Sequence, residues 1–130
     1  MAETNVPADL KYTKEHEWVR VEGEAATIGV TDFAQNALGE VTFVELPEVG
    51  AEAVAGEELA VVESLKAASD VFAPVSGMVA AVNEALEDEP NAINADPYGA
   101  GWLCKIEGID EAGLAALLTP EQYEALLSKE

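Results

Sequence analysis

The chain carries six cationic side chains, Lys11, Lys14, Arg20, Lys66, Lys105 and Lys129, and Lys66 alone falls between Arg20 and Lys105. Lys66 stands in Val61-Val62-Glu63-Ser64-Leu65-Lys66-Ala67-Ala68-Ser69-Asp70-Val71, between two strand-like runs. A hairpin tip projects its side chain away from the core, where another protein reaches it. The ε-amine is a nucleophile on a flexible stem, neutral once desolvated. The competing reading is a solvated turn lysine, which a bare hairpin would favour. Two further residues bear chemistry. His16 sits among Glu15, Glu17 and Trp18, and a histidine beside carboxylates can act as a base. It has no partnered nucleophile, so a structural or surface role is favoured. Cys104 lies in the run Trp102 to Ile106, where a small buried thiol is the favoured reading. Trp18 and Trp102 read as core or rim aromatics. The sequence offers no phosphate-cradling glycine loop and no histidine pair for a metal.

Composition narrows the partners. Of 130 residues, 26 are Asp or Glu against 6 Lys or Arg, a formal charge of −20. A surface this negative repels phosphate backbones and anionic lipid, so neither nucleic acid nor membrane is an expected partner. At 49% hydrophobic the chain is too apolar for a disordered acidic tail. One cysteine rules out an internal disulfide framework and a cysteine-based zinc cluster. Met1 to Asn5 has neither a basic start nor an apolar stretch, which predicts an intracellular protein without a secretory leader. A bacterial cytoplasm is the expectation, and a processed mitochondrial form would look similar.

No linker or low-complexity tract divides the sequence, so we read a single domain over residues 1–130, with a β core over about 10–107 and helices over about 109–129. Trp18 to Val21 and Ala26 to Val30 flank Glu22-Gly23-Glu24 as a hairpin. Thr31 caps a predicted short helix from Asp32 to Leu38, which Gly39 ends. Strands are predicted over Glu40 to Leu46, Glu58 to Glu63, Asp70 to Ala73, Met78 to Val82 and Trp102 to Ile106. Such spacing favours a sandwich or barrel. Asn83 to Gly101 reads as turn and loop chemistry. Leu114, Leu117 and Leu118 share a helical face. Thr119-Pro120-Glu121-Gln122 is a capping box with proline at the first helical position, and Tyr123, Leu126 and Leu127 follow as an apolar stripe.

The order of a strand, Glu63-Ser64-Leu65-Lys66-Ala67, a second strand and then Ala73-Pro74-Val75-Ser76-Gly77 resembles the lipoyl and biotinyl carrier domains, in which a lysine on a tight turn receives the cofactor. Biotin carriers show Ala-Met-Lys-Met at the turn, so Ser64-Leu65-Lys66-Ala67 favours lipoate. The likeness extends over nearly the whole chain. Lys11 to Arg20, Ala26 to Gln35, Leu38-Gly39-Glu40, Phe43-Val44-Glu45-Leu46-Pro47, Leu86 to Pro90, Asn94 to Gly99 and Gly101-Trp102-Leu103 all resemble the glycine cleavage system H-protein family.

That resemblance implies a mainly β barrel-sandwich hybrid with short helices and a helical C-terminal segment. It implies a non-catalytic, monomeric carrier with lipoate amide-linked to Lys66. The carrier would take an aminomethyl group from the pyridoxal-phosphate glycine decarboxylase to the tetrahydrofolate-dependent aminomethyltransferase. Dihydrolipoamide dehydrogenase would then reoxidise it. A lipoate-attaching enzyme is a fourth partner, with Glu63 and Ser64 either as flanking recognition residues or in simple strand and turn roles, and Gly77 as a turn that positions the hairpin. About eleven bonds, each advancing about 1.25 Å, give the arm a reach of roughly 14 Å. The aminomethyl adduct is safe while its amine is protonated, because the lone pair that would expel the thiolate is then occupied. A nearby carboxylate favours that form, and the resemblance assigns the role to Glu17 and Asp70, with Glu15 a weaker candidate. All three also read as ordinary surface acids.

Two carrier readings compete. A lipoyl domain cut from a 2-oxo acid dehydrogenase would normally sit among flexible linkers, which this chain lacks. An H-like protein acting mainly in lipoate relay to 2-oxo acid dehydrogenases would use the same lysine.

Overall fold

The computed structural model describes residues 6–109 and 111–128. Met1 to Asn5, on which the reading of the N-terminus rests, lie outside the described residues, as do Lys129 and the last residue of the expected domain.

Alternating apolar residues and glycine turns build two antiparallel sheets. Strands β2 (Glu17–Glu22) and β3 (Ala25–Val30) form the expected hairpin, with Glu17 opposite Val30 and Glu22 opposite Ala25. Gly23 takes φ +68 at its tip, a conformation in which a side chain would be strained. Thr31 then caps α1 (Asp32–Leu38), its hydroxyl accepting from the Ala34 N–H at 3.3 Å. After it come β4 (Val41–Glu45), β5 (Glu52–Ala53), β6 (Glu58–Ser64), β7 (Ala68–Phe72) and β8 (Gly77–Val82). With β1 (Lys11–Tyr12) and β9 (Cys104–Glu107) they make a six-stranded sheet in the order β1-β2-β3-β9-β8-β5 and a three-stranded sheet β4-β6-β7. The mainly β, two-sheet expectation holds.

Buried residues fall into three groups. Val30, Val41, Val44, Val62 and Val71 meet Leu86, Ile93 and Leu103 around the smaller sheet. Val19, Ile28, Val79, Cys104 and Ile106 fill the larger one. Tyr12, Trp18 and Tyr123 clamp the C-terminal helix α5 (Pro120–Leu127) onto β1 and β2. Burying a Val or Leu side chain fully contributes about 1.5–3 kcal/mol.

The structure corrects the sequence reading in two places. The stretch expected to be loop holds two one-turn helices, α2 (Ala85–Asp88) and α3 (Ala92–Ala95). Each is pinned by one apolar side chain, Leu86 or Ile93, that is fully buried. Neither has a side-chain cap, so local sequence carried little helix signal. Secondly, α4 (Glu111–Ala115) stops before Leu117. Leu118 instead pairs with Tyr12 through backbone hydrogen bonds of 2.9 and 2.7 Å. The Pro120 that starts α5 demands an extended Thr119, which has ψ 164°, and the chain straightens ahead of it.

Candidate functional site

Pairing of β6 with β7, Val61 opposite Asp70 and Glu63 opposite Ala68, leaves Ser64 to Ala67 to close the turn. Ser64 braces that turn from within. Its N–H donates to the Ala67 carbonyl at 2.8 Å, while its Oγ accepts from the Lys66 and Ala67 N–H groups at 3.3 and 3.2 Å. A serine hydroxyl suits this local role because it reaches its own backbone neighbours. Leu65 is 81% exposed and Lys66 is exposed beside it. Among the described residues the Lys66 ammonium has no hydrogen bond or ion pair. Its stem passes beside the α1–β4 junction: Cε lies 3.6 Å from the position a Cβ on Gly39 would occupy. Gly39 takes φ 79° and ψ −156°, a region that only glycine adopts readily.

The acids differ sharply. Glu17 is 1% exposed. Its Oε1 accepts from the Thr13 hydroxyl at 2.6 Å and its Oε2 from the Phe72 N–H at 3.0 Å. It thereby fastens β2 of the larger sheet to the free edge of β7 in the smaller. Burial pushes its carboxyl upward, the Thr13 and Phe72 hydrogen bonds pull it down, and Glu15 adds a smaller upward push. Asp70 is exposed and sits two residues before Phe72, on the same face of β7 and about 7 Å along it. Glu15 is exposed too. It lines, with Thr13, Glu17, Phe72, Pro74 and Leu117, a cleft of about 370 Å³. Glu63 is half-buried at the end of β6, opposite Phe43. The structure thus gathers Glu63, Ser64 and Lys66 at the turn. Asp70 lies further along β7, and Glu17 on β2 meets the end of β7 at Phe72; Asp70 is at most about 13 Å along the chain from Lys66.

His16 and Cys104 are absorbed by the architecture. His16 takes φ 70°, its Nδ1 lies 2.8 Å from the Tyr123 hydroxyl, and its ring packs 4.6 Å from Phe33. The same hydroxyl lies 2.7 Å from Thr31 Oγ1, the cap of α1. Cys104 is buried, and desolvation pushes its thiol up to about 12, which leaves no thiolate for nucleophilic work. Three residues of the site were not singled out by sequence for these roles: Thr13, Gly39 and Asn94, whose carboxamide bonds the Val41 N–H and the Gly39 carbonyl. Asn94 read as one residue of a turn-rich stretch, and only its fold partners reveal its position.

A braced turn presenting an exposed, unpaired amine fits amide attachment of an acyl cofactor, since the bond itself supplies the hold. The family model described as glycine cleavage H-protein matches residues 10–130. The chain belongs to the glycine cleavage H-protein family. It is 56% identical over 125 residues to the glycine cleavage system H protein of Carboxydothermus hydrogenoformans, covering 96% of each chain. It is 57% identical over 128 residues to that of Klebsiella pneumoniae, covering 98% of this chain and 99% of the relative. A crystal structure of a glycine cleavage system H protein from Mycobacterium marinum superposes with a TM-score of 0.85 at 40% identity, over 95% of this chain and 99% of that one. Family membership makes the chain a carrier component of the glycine cleavage system. No helix among the described residues is long and apolar enough to cross a membrane.

Proposed function

We propose that this H-protein family member works as a monomeric, non-catalytic shuttle, with lipoate amide-linked to Lys66 and residues 1–130 acting as one carrier domain in a bacterial cytoplasm. The observation that carries the reading is the exposed, unpaired Lys66 amine on the Ser64-braced turn. Lys66 would hold the lipoyl group through the amide, and that group would supply reversible dithiol–disulfide chemistry on which glycine decarboxylase, the aminomethyltransferase and dihydrolipoamide dehydrogenase would act in turn.

The chain's own residues do the rest. Ser64 holds the backbone that displays the lysine, and Leu65 offers an apolar contact next to it. Glu63 and Ser64 give the lipoate-attaching enzyme a recognisable flank. Asp70 places an acceptor on the strand that leaves the turn, within the roughly 14 Å reach of the arm. Glu17 lies beyond it at the Phe72 edge, and its oxygens keep lone pairs beyond the two bonds they accept. An ammonium brought to that cleft would find carboxylates in a partly desolvated setting, where charge-assisted hydrogen bonds strengthen and the protonated amine is favoured.

Intact-mass measurement of protein from its native cell tests the assignment. A lipoyl increment mapped to Lys66 is expected, and an unmodified Lys66 under lipoate-replete conditions refutes it. Glycine–bicarbonate exchange with the decarboxylase then separates a cleavage-system carrier from a relay protein. For the acids, spontaneous decay of the aminomethyl-loaded protein is compared in wild type, Glu17→Gln and Asp70→Asn. Faster decay in the variants is expected, and equal rates remove the residue concerned from this role.

A further inference from the structure

Resting on the reading of Lys66 as the attachment site, we propose that Asn94 is a positioning residue for that lysine. Its carboxamide holds both ends of a three-residue segment. Oδ1 accepts from the Val41 N–H at 2.8 Å, and Nδ2 donates to the Gly39 carbonyl at 2.7 Å. A third bond, from Nδ2 to Gln35 Oε1 at 3.0 Å, aligns the amide, and Gln35 is itself tied by its Nε2 to Asp32 Oδ1 at 2.7 Å. Both ends of the segment reach the lysine. Gly39 is the residue beside which the Lys66 stem passes, its Cε 3.6 Å from where a Cβ would stand, and Val41 is the register partner of Ser64, which braces the turn.

Only a carboxamide meets this set of partners, because it accepts one N–H while donating to two oxygens. Aspartate keeps the first bond and sets a charge against the Gly39 carbonyl; serine cannot span both. On that side the segment faces a polar recess of about 540 Å³ between α1 and α3, lined by Gln35, Asn36, Gly39, Glu40, Asn91 and Asn94. Removing the carboxamide therefore frees the segment beside the lysine without emptying an apolar core.

The step that reads this out is attachment itself. The Lys66 amine attacks the acyl carbon of an acyl adenylate. The C–N bond forms, the carbon–oxygen bond to phosphate breaks with AMP leaving, and one proton passes from nitrogen to solvent. Its rate depends on how the amine is held, since small misplacements of reacting groups cost large factors.

The experiment uses the full unmodified chain, a purified lipoate–protein ligase, lipoic acid and ATP. Asn94→Ala is compared with Ile106→Val and Val79→Ala, core substitutions in the larger sheet that carry its stability loss without touching the turn. For Asn94→Ala, kcat of lipoylation should fall by about tenfold or more with little change in KM. Relaxation of the Lys66 ¹³Cε resonance should also show a more mobile stem. The core variants should match wild type in both while folded. If Asn94→Ala equals the core variants in kcat and in Lys66 relaxation, the proposal is overturned. If it does not fold, Asn94→Asp, which keeps the Val41 bond and loses the donation to Gly39, makes the same comparison. A wild-type chain that gains no lipoyl mass at Lys66 overturns the functional reading instead, so the two failures are distinct.

Discussion

Glu17 shows why a carboxylate must be read in its surroundings. By type it is one acid among 26, yet it is buried and bonded to Thr13 and the Phe72 N–H. Because burial raises its folded value, the native chain retains a proton that the unfolded chain has already lost over the window just above the ordinary glutamate range. The stabilisation from that proton is complete at lower pH and is lost as pH rises through the folded value. Glu17→Gln can still satisfy the Phe72 N–H without a buried charge. Urea denaturation should therefore place its midpoint level with wild type in acid, with a relative gain as pH rises towards neutrality. A loss that widens with pH would contradict an upward shift at this carboxyl. Glu17→Ala orphans the Phe72 N–H and should cost about 1–3 kcal/mol in acid, the difference from wild type narrowing as pH rises. Gly39 gives a different prediction. Its backbone angles exclude a side chain, so Gly39→Ala should destabilise by about 1–3 kcal/mol. The new methyl would meet Lys66 Cε at an ordinary 3.6 Å, so the folded fraction should still accept lipoate.

Elements with strong local signals were legible, and those made by distant partners were not. The α5 cap is entirely local: Thr119 Oγ1 accepts from the Gln122 N–H at 3.2 Å, and the Gln122 side chain accepts from the Thr119 N–H at 2.9 Å. Thr119→Ala should cost about 1 kcal/mol, visible as a Tm lowered by a few degrees. In contrast, α2 and α3 form because Leu86 and Ile93 are drawn into the core. Each helix is one turn, too short for a repeating apolar face to show. Leu86→Ala should cost about 2–5 kcal/mol by cavity formation, measured by urea denaturation. A loss under about 1 kcal/mol would mean that α2 is only loosely seated. Strands β1 and β5 span two residues each and show no alternation to read. Leu118 left its helical face because the cap of the next helix needed an extended approach.

Across the molecule the formal charge is −20, and amide formation at Lys66 would take it to −21. An acidic body should speed encounter with basic partner surfaces, an effect that salt screens. Glycine–bicarbonate exchange should lose rate between low and physiological ionic strength through the apparent affinity for the carrier, and insensitivity to salt would discard electrostatic steering. The turn around Lys66, the main strands, the capped helices and the family were legible in residue order, because each depends on neighbours close along the chain or on an extended pattern of residue types. Tertiary structure alone decided which acid is buried, where the Lys66 stem passes and what Asn94 holds. Those are meetings of residues 55, 27 and 55 positions apart (Glu17 with Phe72, Gly39 with Lys66, Asn94 with Gly39). Burial and hydrogen-bond partners at such separations are set by how the two sheets close on one another, which residue type and local spacing do not encode.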